Sequence, residues 1–205
     1  MRSNVVQVSF SGQTKNFVPT KPKNKEVRER EYLTAEEVEN LVKAVKPNRQ
    51  ALRDEVLIKI MFHHGLRVSE AINLKWSEIE LDRQRIHVKR VKNGDASVQP
   101  VSGKMLRLLR LLKRSCKSGY VFESSTGNPL TTAGVFKMIR RAGAEVGMPY
   151  VHPHMLRHAC GFALANAGQD TRAIQGYLGH RNIQHTVKYT QLAENRFDGF
   201  ERVFE

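Results

Sequence analysis

The feature that most constrains the fold lies mid-chain, where the hydrophobic period changes from helical to strand-like. "RQRIHVKRV" and "SVQPV" alternate apolar with polar residues, the two-residue period of a half-buried strand. They flank "KNGDA", and Asn93-Gly94 is a strong tight-turn signal because both residues accept positive φ. The span from Arg85 to Val101 therefore reads as a β-hairpin. Pro100 has no N–H to give a ladder, so the second strand lies at a sheet edge or ends there. The segments around the hairpin keep helical spacing, and no internal repeat or low-complexity tract interrupts them. The expected class is mainly α with a small β-hairpin or sheet (α+β), in one domain.

The helical segments carry their own boundary signals. Thr34 is followed three residues later by Glu37, a capping box, and Val38, Leu41, Val42 and Val45 share a face. "ALRDEVLIKIMFHHG" predicts a second helix with Leu52, Val56, Leu57 and Ile60 on one side, ended by Gly65. "LRVSEAINLKW" begins a third at once. "GKMLRLLRLLKRS" is a basic amphipathic helix whose leucines form a core stripe rather than a membrane face. "GYVFESSTGNPLTTAGVFKMIRRAGAEVG" predicts a short extended piece, a turn and another helix. From Pro153 to Phe204 the pattern is helical, broken at Gly168 and Gly179. Ahead of Thr34, "NVVQVSF" alternates weakly, as a short strand would, and "TKPKNKEVRERE" reads as a flexible basic arm, either following a DNA backbone or solvated.

Charge decides the class of partner. The 205 residues hold 34 Lys and Arg against 20 Asp and Glu, a formal net charge of +14. Such an excess points to a polyanion, most often nucleic acid. Cys116 and Cys160 form no CxxC pair, so neither a disulfide framework nor a cysteine zinc site is indicated, and a reducing cytoplasmic compartment is expected. No apolar run approaches the ~20 residues that span a bilayer, and the N-terminus lacks a signal-peptide pattern, so no membrane association is expected.

Candidate chemistry gathers near the C-terminus. Five of the eight histidines (His152, His154, His158, His180 and His185) fall between residues 152 and 185. His154 and His158 have the spacing of a helical zinc pair, but "MLR" between them lacks the glutamate of HExxH, and no Cys or carboxylate cluster adds ligands. No GxSxG and no GxxxxGK[ST] occurs, which leaves neither a nucleophile elbow nor a nucleotide-burning loop. What remains is "HPHMLRH". His154 and Arg157 are three apart on a helix and face one way, a proton-handling imidazole beside a permanent phosphate donor. The plainer alternative is that both merely bind the DNA backbone. Arg67 in "HGLRVSE" follows a glycine break, where Glu70 either orients it or is an ordinary surface partner.

Three blocks, "GLRVSE", "HPHMLRHACGFALANAG" and "YLGHRNIQHTVKYT", resemble those of the tyrosine recombinases, the phage-integrase family, in order and separation. The resemblance covers about residues 30–195 and is closest to the short fimbrial phase-variation recombinases, which invert a promoter segment. It implies a tyrosine recombinase catalytic fold and cleavage of DNA through a transient 3′-phosphotyrosine, with no ATP, metal or other cofactor. The outcome would be inversion, integration or excision of a DNA element. Carried onto this chain, the resemblance makes Tyr189, nine residues after His180, the nucleophile. Arg67 and Arg157 become the phosphate clamp, His180 a further donor to a non-bridging oxygen, and His154 the group that takes or relays the phenol's proton. The family's leaving-group acid is a lysine just before the hairpin turn, which falls on Lys92, with Lys89 the neighbour on the strand. Tyr177 is expected to pack or to contact backbone, and His185 to be a helix-surface residue or DNA contact.

The resulting division is a basic arm over 1–30, a catalytic domain over 31–190, and a C-terminal segment over 191–205. Leu192, Phe197, Phe200, Val203 and Phe204 fall at helical spacings and call for burial, either capping their own domain or, as the resemblance suggests, docking on a neighbouring protomer. The expected partners are double-stranded DNA with specific sites and a homo-oligomer, a tetramer on paired sites. Most of the family carries an extra N-terminal clamp domain, and only some thirty residues precede Thr34 here. That departure implies a minimal arm, an accessory DNA-bending protein or a shortened chain. A different class, a catalytically silent DNA-binding regulator on the same fold, is opposed by the presence of all six polar positions.

Overall fold

Thr34 opens the ordered chain as its sequence dictates. In this computed structural model, residues 31–47, 49–90, 96–193, 196–198 and 200–204 are described. The strand expected over residues 4–10, the basic arm, the Asn93-Gly94 turn and Lys92 lie outside the described residues. Helix α1 (Ala35–Val45) is closed by a reciprocal capping box: Thr34 Oγ1 accepts from the Glu37 N–H at 3.2 Å, and Glu37 Oε2 accepts from the Thr34 N–H at 2.8 Å. Its expected stripe of Val38, Leu41, Val42 and Val45 is buried.

Helix α2 (Ala51–His63) departs from the one-sided reading. Val56, Leu57, Ile58, Ile60 and Met61 are all buried while Leu52 stays at the rim. The reason is position: α1, α4 (Gly103–Lys113), α6 (Pro153–Asn166) and the short α3 (Val68–Ile72) all pack on it. A helix enclosed by neighbours on several sides keeps only a narrow polar edge, here Glu55 and Lys59, which pair at 2.9 Å. Helix α4 buries Met105, Leu106, Leu109 and Leu112, the expected core stripe. Helix α5 (Thr132–Glu145) packs against α1, α3 and α6.

The hairpin is present and belongs to a three-stranded antiparallel sheet, order β1 (Ile79–Glu80), β2 (Arg85–Val88), β3 (Ser97–Pro100). Arg85 pairs with Pro100 and Val88 with Ser97, so Pro100 both sits on the edge strand and ends it. Strand β1 is two residues long, too short for its period to be read in "SEIEL". Beyond α6, Gly168 and Gly179 turn the chain into α7 (Thr171–Leu178) and α8 (Gln184–Gln191), both with positive φ as a side-chain-free residue allows.

Two apolar clusters result. The larger joins α1 to α6 with the sheet. The smaller holds Cys160, Phe162, Ala165, Ile174, Leu178, Tyr189 and Ala193, and ties α6, α7 and α8 together. The last residues belong to neither. Leu192, Phe197, Phe200, Val203 and Phe204 are 59–89% exposed, so they cap nothing among the described residues. Among the described residues no helix is long and apolar enough to cross a membrane.

Candidate active site

Gly65 sets the geometry of the first block. It ends α2 at φ +57°, and a Cβ there would stand 2.3 Å from Leu178 Cδ2. Only a glycine allows this turn and this approach together. The turn places Arg67 at the start of α3, where the Glu70 carboxylate takes its backbone N–H at 2.9 Å and its Nη1 at 2.7 Å. Glu70 is not a surface partner. Its side chain is buried, also accepts from Arg90 Nη1 at 2.8 Å, and lies 3.9 Å from Arg157 Nη1. Burial alone would raise its pKa, but the Arg67 N–H and the Arg90 guanidinium outweigh it and hold the carboxyl below its usual range.

Arg157 is buried on α6, with Nη1 donating to the Gly65 carbonyl at 2.5 Å and Nη2 to the Leu178 carbonyl at 2.6 Å. A hydrogen bond from a charged donor is worth about 1.5–3 kcal/mol, so the pair repays much of the desolvation. Burial, helped by Arg67 and Arg90, lowers the guanidinium to about 10, still fully charged at neutral pH. The two carbonyls belong to the first and third sequence blocks, so Arg157 is the pin that joins all three.

Tyr189, from α8, lies 3% exposed against Phe162 and Gly161. Its hydroxyl is 2.8 Å from His158 Nδ1. Burial pushes the phenol up to about 12 and the His158 imidazole down to about 4. Near neutral pH the phenol is therefore the donor and the neutral Nδ1 the acceptor. His154, one turn earlier, touches His158 edge-on at a ring-centroid distance of 4.5 Å. Its ring still reaches solvent, yet partial desolvation, then His158 and Arg157, bring it to about 4. His180 follows the Gly179 turn, and its Nδ1 shares a 2.9 Å hydrogen bond with the fully buried Thr186 hydroxyl. Burial, then Arg157, lowers it to about 3.

Five of the six expected positions thus line one open cleft of about 1370 Å3: Arg67, His154, Arg157, His180 and Tyr189. Arg172, Arg181 and Lys188 add permanent charge along its walls. The sixth, Lys92, is outside the described residues. Lys89 is 78% exposed and pairs with Glu78 at 2.8 Å, away from that lining. Tyr177 meets its expectation, donating its hydroxyl to the His63 carbonyl at 2.9 Å. His185 is exposed on the rim. The group touching the phenol is His158 rather than His154, a neighbour that sequence reasoning passed over although His158 stands on the same helical face one turn on. Arg90 was missed too, and its signal was available: it continues the inward phase of Ile86 and Val88, both buried. Among the described residues no group of His, Cys, Asp and Glu converges to hold a metal ion.

Residues 31–196 match the profile of the phage integrase family. The chain belongs to the phage integrase family. The chain is 42% identical over 179 residues to the type 1 fimbriae regulatory protein FimB of Escherichia coli K12, covering 84% of this chain and 90% of that protein. It is 36% identical to tyrosine recombinase XerA of Thermococcus kodakarensis over 165 residues, 78% of this chain and 57% of that one. Among solved structures, a crystal structure of XerA recombinase superposes with a TM-score of 0.70 at 26% identity, over 85% of this chain and 65% of the other. XerH recombinase in a pre-cleavage complex with difH gives the same TM-score at 24% identity, over 86% and 55%, a likeness of fold. By enzyme class the chain is a tyrosine recombinase, acting in site-specific DNA recombination.

Proposed function

We propose that the cleft binds a scissile phosphodiester of double-stranded DNA and that Tyr189 attacks it. The Tyr189 oxygen bonds to phosphorus, the bond to the 5′-oxygen breaks, and a 3′-phosphotyrosine and a free 5′-hydroxyl result. A 5′-hydroxyl from another strand reverses the step, so no ATP is spent and the bond energy is conserved. The observation that carries this reading is the Tyr189 phenol, hydrogen-bonded to a neutral imidazole in a cleft that also holds Arg67 and Arg157.

Each side chain then has a task. Arg67 and Arg157 meet the charge that develops on the non-bridging oxygens, preorganised by Glu70 and by two carbonyls. His180 donates from Nε2 when Thr186 donates to its Nδ1. A phenol held near pKa 12 is a poor nucleophile, so its proton must leave as it attacks. His158 takes that proton, and His154 beside it relays it towards solvent. Lys92 protonates the leaving 5′-oxygen, with Lys89, three residues earlier, the alternative.

The DNA partner is supported by the net charge of +14 and by XerH recombinase, a protein of the same fold solved bound to its difH substrate. The working assembly is a tetramer on paired sites, residues 31–190 forming the catalytic domain and residues 191–205 docking on the next protomer. The uncovered phenylalanines of that segment support the docking. Residues 1–30 serve as a DNA-following arm, an accessory DNA-bending protein assists, and the site of action is the cytoplasm, at the nucleoid. The test is a covalent protein–DNA adduct on a nicked substrate, mapped to Tyr189.

A further inference from the structure

Arg90 has no part in the chemistry above, yet it is a fully enclosed cation. Its side chain is 0% exposed. Nη1 donates to Glu70 Oε2 at 2.8 Å and reaches the Gly65 carbonyl at 3.5 Å. Nη2 reaches the His64 carbonyl at 3.4 Å and donates to the Tyr177 carbonyl. Nε is buried with no hydrogen-bond partner among the described residues. A buried charge with an unmet N–H is an expensive way to fill space, and an apolar side chain of similar volume would often be more stable. Gly179 makes room for it, since a Cβ there would stand 2.7 Å from Arg90 Cγ.

The acceptors explain what the charge does. Glu70 Oε2 also holds the Arg67 backbone N–H at 2.9 Å. The Gly65 carbonyl also takes Arg157 Nη1 at 2.5 Å. Tyr177 stands next to Leu178, whose carbonyl takes Arg157 Nη2 at 2.6 Å, and it leads through Gly179 to His180. From β3, Gln99 Nε2 donates to the same Tyr177 carbonyl at 2.8 Å, so the segment just after β2 and the strand β3 both seize the end of α7. We propose that Arg90 is a positioning residue whose guanidinium fixes Glu70 and the Tyr177–His180 turn together, and thereby aims Arg67, Arg157 and His180 at the scissile phosphate. The proposal rests on the cleft being the phosphate site. Lysine cannot replace it fully, because one ammonium on a tetrahedral nitrogen lacks the planar fork that spans a carboxylate and a carbonyl.

The test compares two DNA substrates, one with the native scissile phosphate and one with a methylphosphonate, in which a methyl group replaces a non-bridging oxygen and its charge. A residue that aims the clamp matters where that charge must be met, whereas a residue that only supports the fold matters equally on both. For Arg90→Met, circular dichroism and single-site affinity should stay near wild type. Adduct formation at saturating protein should slow on the order of 10- to 100-fold on the phosphate, and under about 3-fold on the methylphosphonate. Arg90→Lys should fall between, and it carries the same comparison if Arg90→Met does not fold. Equal slowing on the two substrates, or none on the phosphate, overturns the role of Arg90. A wild-type protein that makes no Tyr189 adduct overturns instead the reading of the cleft, and this proposal with it.

Discussion

At the scale of single residues, the proposed nucleophile, Tyr189, is held by what is absent beside it. A Cβ on Gly161 would stand 2.5 Å from Tyr189 Cε2 and 2.7 Å from two more ring atoms. Gly161 lies inside α6, where alanine would ordinarily gain about 0.5–1 kcal/mol of helix stability. Overpacking against a buried ring costs about 1–3 kcal/mol and outweighs that gain. Gly161→Ala should therefore lower the melting temperature modestly and displace Tyr189 from His158. Since a displacement near 1 Å can cost about 10²-fold in rate, adduct formation should fall by that order while DNA affinity holds. A rate within a few fold of wild type would show that the phenol's resting place is irrelevant to its attack.

At the scale of elements, Lys92 and Lys89 compete for the role of acid. Lys89 is engaged with Glu78 on the exposed side of the strand, so Lys89→Ala should act as a mild binding variant. Lys92→Ala should be slow on normal DNA and recover when the leaving 5′-oxygen is replaced by sulfur, which departs without a proton. Recovery of Lys89→Ala with none for Lys92→Ala would move the role along the strand. Much at this scale was legible in the sequence. The capping box at Thr34, the hairpin period, the edge position of Pro100 and the breaks at Gly168 and Gly179 are local signals with local causes. The enclosure of α2 was not, because it depends on which helices surround it. Of the site, Arg67, His154, Arg157, His180 and Tyr189 were named from spacing and resemblance and share one cleft. The contact of His158 with Tyr189 joins residues 31 positions apart, and no pattern within either segment announces it. Arg90 was readable from strand phase alone, but Glu70 as its partner was not, lying 20 residues away on another element.

At the scale of the whole molecule, the last described residues present exposed apolar surface. Phe197 and Phe200 stack edge-on at 5.5 Å and remain 61% and 59% exposed, with Phe204 at 89%. Each buried phenylalanine is worth roughly 1.5–3 kcal/mol, so a groove on a second copy that took three of them would contribute substantially to assembly. Deleting residues 196–205 should leave a folded monomer that binds one DNA site, because neither apolar cluster includes them. Gel shifts on paired sites should lose cooperativity, and recombination should largely stop. An unfolded truncation on circular dichroism would assign the segment to its own domain, and undiminished cooperativity would remove it from assembly.

The central claim is that Tyr189 is the atom donor to phosphorus, and one oxygen tests it. Tyr189→Phe keeps the ring that packs on Phe162 and removes only the hydroxyl held by His158. The measurement is denaturing gel electrophoresis of the variant on a nicked recombination site, beside a gel shift on the intact site. The account predicts affinity within a few fold of wild type and no covalent protein–DNA band. A covalent band that persists in Tyr189→Phe would contradict it.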